Sequence, residues 1–137
     1  MAGIQELIRV EDDNTLSFGN HLMDEKKKVI NFEVDGHIYK VKTYNEITRL
    51  EKNGRLLFES VPGTTVHNFS ISDKIIDFQV EGIEDAQITL ELEADQEYRI
   101  YINQVQVGKM KANLAGKVSF SVDFSSCGMQ NVMIKKA

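Results

Sequence analysis

Along most of this chain apolar and polar residues alternate with a period of two, the pattern of strands that turn one face to a core and the other to water. Ile30, Phe32 and Val34 alternate with Asn31 and Glu33, and Asp35–Gly36 then leads into Tyr39, Val41 and Thr43. Aspartate followed by glycine accepts the positive φ that a type I′ turn demands, so this segment predicts a hairpin. Asn53–Gly54 joins residues 47–50 to Leu56, Leu57 and Phe58 in the same way. Residues 45–52 also carry helix formers, which leaves that first arm open between strand and helix. Residues 7–10 and 16–18 flank the turn-rich stretch Asp12–Asp13–Asn14–Thr15 and predict a further short hairpin.

Pro62, the only proline, precedes Gly63 and marks the clearest break in the pattern. It suggests an N-terminal β-hairpin subdomain over residues 1–63 and a β-sandwich over residues 64–137. Within the second part His67, Phe69 and Ile71 precede a turn at residues 72–74, and Ile76, Phe78 and Val80 follow it. Ile88, Leu90 and Leu92 alternate with Thr89, Glu91 and Glu93. Tyr98, Ile100 and Ile102 reach a reversal at Asn103–Gln104 before Val105 and Val107. Val118, Phe120, Val122 and Phe124 form the next run, and Val132 and Ile134 the last. The fold class expected is all-β, built of antiparallel hairpins in a sandwich. About seven strands fit the second part, the number an immunoglobulin-like or fibronectin-like sandwich uses. Phe120 and Val122 are expected to face inward with Ile100 and Ile102.

With 137 residues, such a chain can remove about two thirds of its extended-state surface from water. No run nears the roughly 20 apolar residues of a membrane helix, and the first residues do not read as a signal peptide. The chain is therefore expected to begin at Met1 in the cytoplasm and to meet no membrane. Cys127 is the only cysteine, so no internal disulfide forms; it reads as a passive thiol in a turn with Ser125, Ser126 and Gly128. The formal charge of −5 argues against nucleic acid as a partner. The Lys26–Lys27–Lys28 run reads as a solvated strand entrance. Residues 75–98 hold eight acids and no Lys or Arg, whereas residues 99–137 hold six cations against Asp123. These blocks can neutralise each other between neighbouring strands or between subunits.

Candidate chemistry thins out under inspection, and no catalytic, cofactor-binding or metal-ligating residue is assigned. His21, His37 and His67 sit in separate hairpins without metal-ligand spacing. Glu11–Asp12–Asp13–Asn14 lacks the spacing of a calcium loop and reads as a solvated turn. Glu91 with Glu93, or Glu51 with Glu59, offers carboxylates on neighbouring strands, but Glu91 and Glu93 fall on a solvent face. Glycan platforms are commonly aromatic; the chain has no Trp and offers Tyr39, Tyr44 and Tyr101 instead.

The segments Leu7-Ile8-Arg9-Val10-Glu11, Leu16-Ser17-Phe18-Gly19-Asn20, Ser60-Val61-Pro62-Gly63-Thr64, Val66-His67-Asn68-Phe69 and Asp85-Ala86-Gln87-Ile88-Thr89-Leu90-Glu91-Leu92-Glu93 carry a resemblance. Over nearly its whole length the chain is similar to a group of small proteins of clostridial-type Firmicutes labelled endosialidase. The label implies cleavage of sialic-acid polymers, which in enzymes of that kind relies on arginines clamping the substrate carboxylate. Here Arg9, Arg49, Arg55 and Arg99 are scattered over separate strands, and no catalytic position carries over. The function expected first is a non-enzymatic structural or self-assembling protein. It would form a homo-oligomer or filament through edge strands, complementary charge and the terminal segments 4–10 and 131–135. The alternative is a glycan- or peptide-binding sandwich module, and a glycoside hydrolase is the third reading.

Overall fold

A computed structural model of the chain describes residues 3–125 and 128–137, so Cys127 lies outside the described residues. The strands are β1 (Ile8–Val10), β2 (Leu16–Phe18), β3 (Lys27–Val34), β4 (His37–Tyr44), β5 (Ile47–Lys52), β6 (Arg55–Val61) and β7 (Thr65–Ile71). After them come β8 (Ile75–Glu81), β9 (Ala86–Glu91), β10 (Glu97–Ile102), β11 (Val105–Lys111), β12 (Lys117–Val122) and β13 (Met129–Lys136). No helix long and apolar enough to cross a membrane occurs among the described residues.

The all-β expectation holds, and two antiparallel sheets pack as a sandwich. One has seven strands in the order β1-β2-β7-β8-β13-β10-β11, the other six in the order β12-β9-β6-β5-β4-β3. Both glycine-bearing turns form as expected: Asp35 and Gly36 have φ of 51° and 80°, and Asn53 and Gly54 have 52° and 81°. The ambiguous residues 47–52 are strand β5, because pairing with β4 and β6 on either side outweighs local helix propensity. Strands from both sides of the cis Val61–Pro62 bond enter each sheet: β1 and β2 join β7, while β9 and β12 extend β6.

One continuous apolar core fills the space between the sheets. At its centre Phe58, from the six-stranded sheet, is inserted among three phenylalanines of the seven-stranded one. Its ring centroid lies 5.3 Å from Phe18, 6.2 Å from Phe69 and 5.7 Å from Phe78, all edge-to-face. That geometry is the favourable one for aromatic quadrupoles and adds to the area each ring buries. At one end the core gives way to buried hydroxyls: Thr43 and Thr48 are 2.8 Å apart, Thr48 donates to the Thr64 carbonyl at 2.6 Å, and Ser60 meets Thr64 at 2.7 Å.

Two expectations need correction. Phe120 and Val122 do face inward, but on β12 of the six-stranded sheet, so they oppose Ile100 and Ile102 across the sandwich and do not extend the same face. Ile102, near the end of β10, is only partly buried. The terminal segments already pair within the chain, although β1 keeps one free edge. The Ile4 N–H donates to Gly19 O at 3.0 Å ahead of β1, which pairs with β2, and β13 is an interior strand between β8 and β10.

Phe58 is fully buried where the two sheets exchange several aromatic contacts. Phe58→Ala should therefore destabilise the fold by about 3–5 kcal/mol through lost transfer energy and a residual cavity. Urea denaturation of both forms measures this; a loss below about 1 kcal/mol would show that the sheets are held together elsewhere.

Candidate functional site

The outer face of the seven-stranded sheet carries a depression of about 460 Å³ over β7, β8, β13 and β10. That is within the range of small-molecule sites. Strand alternation builds it. Phe78 and Val132 turn inward, so their neighbours Asp77, Gln79, Asn131 and Met133 turn outward. Register then aligns them: Met133 lies between Asp77 and Tyr101, and Asn131 lies beside Gln79. Tyr101 forms one wall, with the Lys135 ammonium 5.4 Å from its ring centroid.

Two irregularities bring further side chains in. A bulge in β7 between His67 and Ser70, with Asn68 at φ 55°, places Asn68 on the rim. Gln104 enters from the β10–β11 turn, where Asn103 and Gln104 have φ of 50° and 70°. The other two turns of this kind put glycine in the second place, at Gly36 and Gly54, whereas this one keeps a side chain at a strain of about 1–2 kcal/mol. Backbone strain that is retained for the sake of one side chain is a mark of functional positions.

On the opposite outer face many polar groups pair across strands, while Lys40, Lys42 and Lys117 there make no hydrogen bond or ion pair among the described residues. There Arg49 bridges Glu51 at 3.2 Å and Glu59 at 2.6 Å, Arg55 holds Glu91 at 2.6 Å, Thr89 meets Ser119 at 2.8 Å, and Ser121 donates to Gln87 at 2.9 Å. In the groove the side chains of Asp77, Gln79, Gln104 and Asn131 make no hydrogen bond or ion pair among the described residues. Three amides and one carboxylate thus keep donors and acceptors available beside an aromatic ring.

The tyrosines considered as platforms separate cleanly. Tyr101 lines the groove, whereas Tyr39 is corrected to a core residue, since it shares its inward side with Val41 and Thr43. Burial pushes its phenol above the ordinary range. Tyr44 is half-buried on the outer side of β4. The carboxylate pairs are engaged in ion pairs, Glu51 and Glu59 through Arg49, Glu91 with Arg55, and Glu93 with Lys136 at 2.6 Å. Both Glu93 and Glu91 thus find their cations within the chain.

In the acidic turn, Glu11 accepts from Ser17 and Arg9, and these bonds, Ser17 first, hold its carboxyl below the usual range. Asp13 accepts from the Thr15 hydroxyl at 2.6 Å and the Thr15 amide at 3.1 Å, which lowers it likewise. His37 meets Asn53 at 3.0 Å across two hairpin turns.

Sequence spacing did not reveal that His21 and His67 lie close together. His67 is 3.1 Å from Glu81, and His21 is 2.7 Å from the buried Thr65 hydroxyl. Burial pushes the His21 imidazole below its ordinary pKa, with Glu81 pulling the other way. None of these four residues lines the groove, and no cluster of metal-ligating side chains occurs among the described residues.

No protein-family model, curated protein or solved structure matches the chain, so its chemistry and geometry carry the functional reading.

Proposed function

We propose that this protein is a non-catalytic binding module that holds a hydroxyl-rich, glycan-type ligand in the Tyr101 groove. The observation that carries this reading is the set of unengaged polar side chains, Asp77, Gln79, Gln104 and Asn131, around one aromatic wall. Sugar hydroxyls are both donors and acceptors, which suits side-chain amides, and a pyranose C–H face suits an aromatic ring. An extended peptide fits less well. β8, β13 and β10 are paired on both sides, so their backbone offers nothing for strand addition. The module acts in the cytoplasm, where a single cysteine needs no partner.

Binding without turnover is tested on a printed glycan array and by product analysis. The wild type should bind a restricted set of glycans, Tyr101→Ala should weaken them at least about tenfold, and incubation with sialic-acid polymers should release no product. Binding that is absent across the array, or unaffected by Tyr101→Ala, removes the groove from consideration; release of sugar abolished by one Glu→Gln change makes the protein an enzyme.

Self-association is a second reading, favoured by the two edges of the seven-stranded sheet. Around β1 lie Glu6, Glu11, Asp12 and Asp13 against Arg9, while β11 carries Lys109 and Lys111 and exposes Val105 and Val107. Opposite charges on opposite edges permit head-to-tail contact that salt screens over about 8–10 Å. Analytical ultracentrifugation should then show oligomers at low salt that dissociate at high salt; a monomer under both conditions removes this reading.

A further inference from the structure

We propose that the ligand of the groove carries a phosphate group, bound by a row of three cations that continues from Tyr101; this rests on the binding role assigned to the groove above. Arg99 points outward from β10, directly opposite Lys135 of β13 on one side and Lys109 of β11 on the other. Neighbouring strands are about 4.8 Å apart, so three cationic stems stand in line over about 10 Å. Like charges placed directly opposite each other on adjacent strands destabilise a sheet.

Neighbouring acids do not relieve this arrangement. On the same face Glu97 is in register with Lys111, and Asp77 with Met133. Among the described residues no carboxylate approaches Arg99, Lys109 or Lys135 within 4.0 Å, as is true of most lysines of the chain, while Arg9, Arg49, Arg55 and Lys136 are ion-paired. The row therefore holds three cations without an ion-pair partner among the described residues, with Glu97 and Asp77 on the same face.

Lys135 links the row to the groove, because its ammonium lies 5.4 Å from the centre of the Tyr101 ring. A hydroxylated body against Tyr101, Gln79 and Asn131 would place a substituent on this row. Phosphate matches it better than carboxylate. A phosphomonoester carries about −1.5 to −2 charges at neutral pH and three acceptor oxygens, enough for a guanidinium fork and two flexible ammonium groups, while a carboxylate leaves most of the positive charge uncompensated. The ligand class is thus a sugar or polyol phosphate.

The test is an NMR titration of the ¹⁵N-labelled protein with matched pairs: glycerol and glycerol 3-phosphate, ribitol and ribitol 5-phosphate, glucose and glucose 6-phosphate. Glucuronate and inorganic phosphate serve as single-feature controls. At least one phosphorylated compound should shift the amides of Arg99, Tyr101, Lys109 and Lys135 and bind about tenfold more tightly than its neutral partner and than glucuronate. Arg99→Gln, at an exposed position, should remove that advantage and leave neutral binding as it was. Equal affinity within every pair, or an advantage that survives Arg99→Gln, overturns the phosphate proposal and leaves the groove in place. Shifts caused by inorganic phosphate alone, with no polyol reaching Tyr101, overturn both the proposal and the glycan-type reading.

Discussion

Everything in this molecule depends on Phe58 reaching across from one sheet into the three phenylalanines of the other. The backbone ladders of a β-sandwich lie within each sheet, so its two sheets are held together mainly by what their inner faces bury. Here the inner side chains are largely apolar, and the buried hydroxyls at one end hydrogen-bond to one another and to the Thr64 carbonyl. No buried polar side-chain atom among the described residues lacks a partner. The inner faces are thus committed to stability.

The two outer faces differ. On the six-stranded sheet, arginines, glutamates and hydroxyls pair across strands. On the seven-stranded sheet the β7 bulge and the strained Asn103–Gln104 turn raise the rim of a groove whose polar side chains remain unengaged. A row of cations extends from it. Backbone strain, cations without an ion-pair partner and unengaged hydrogen-bonding groups lie together on this surface, which is what supports the binding proposal.

Local features of this fold were legible in the sequence because their causes are local. Asp35–Gly36 and Asn53–Gly54 announce their hairpins through backbone conformation alone, and alternation places Val41, Phe78 and Ile134 in the core. Pairings between distant segments were not legible. Nothing near Met129 says that β13 enters between β8 and β10, and nothing near Phe120 says that β12 joins β9, since both follow from how the two inner faces fit. The groove shares that fate, because Asn68, Gln79, Tyr101 and Asn131 meet only after these pairings form. Tyr101 was visible as a candidate platform but indistinguishable from Tyr44 by residue type. Tyr39 was separable in principle, since it keeps step with Val41 and Thr43.

In the proposed binding role Gln104 is where stability and binding are most directly opposed, and the test is the stability and ligand affinity of Gln104→Gly taken together. Glycine relieves the left-handed backbone at φ 70° and removes the side chain from the groove. The account predicts a variant more stable than the wild type by about 1 kcal/mol that binds the glycan-type ligand more weakly. A variant that is less stable and binds as the wild type does would contradict it.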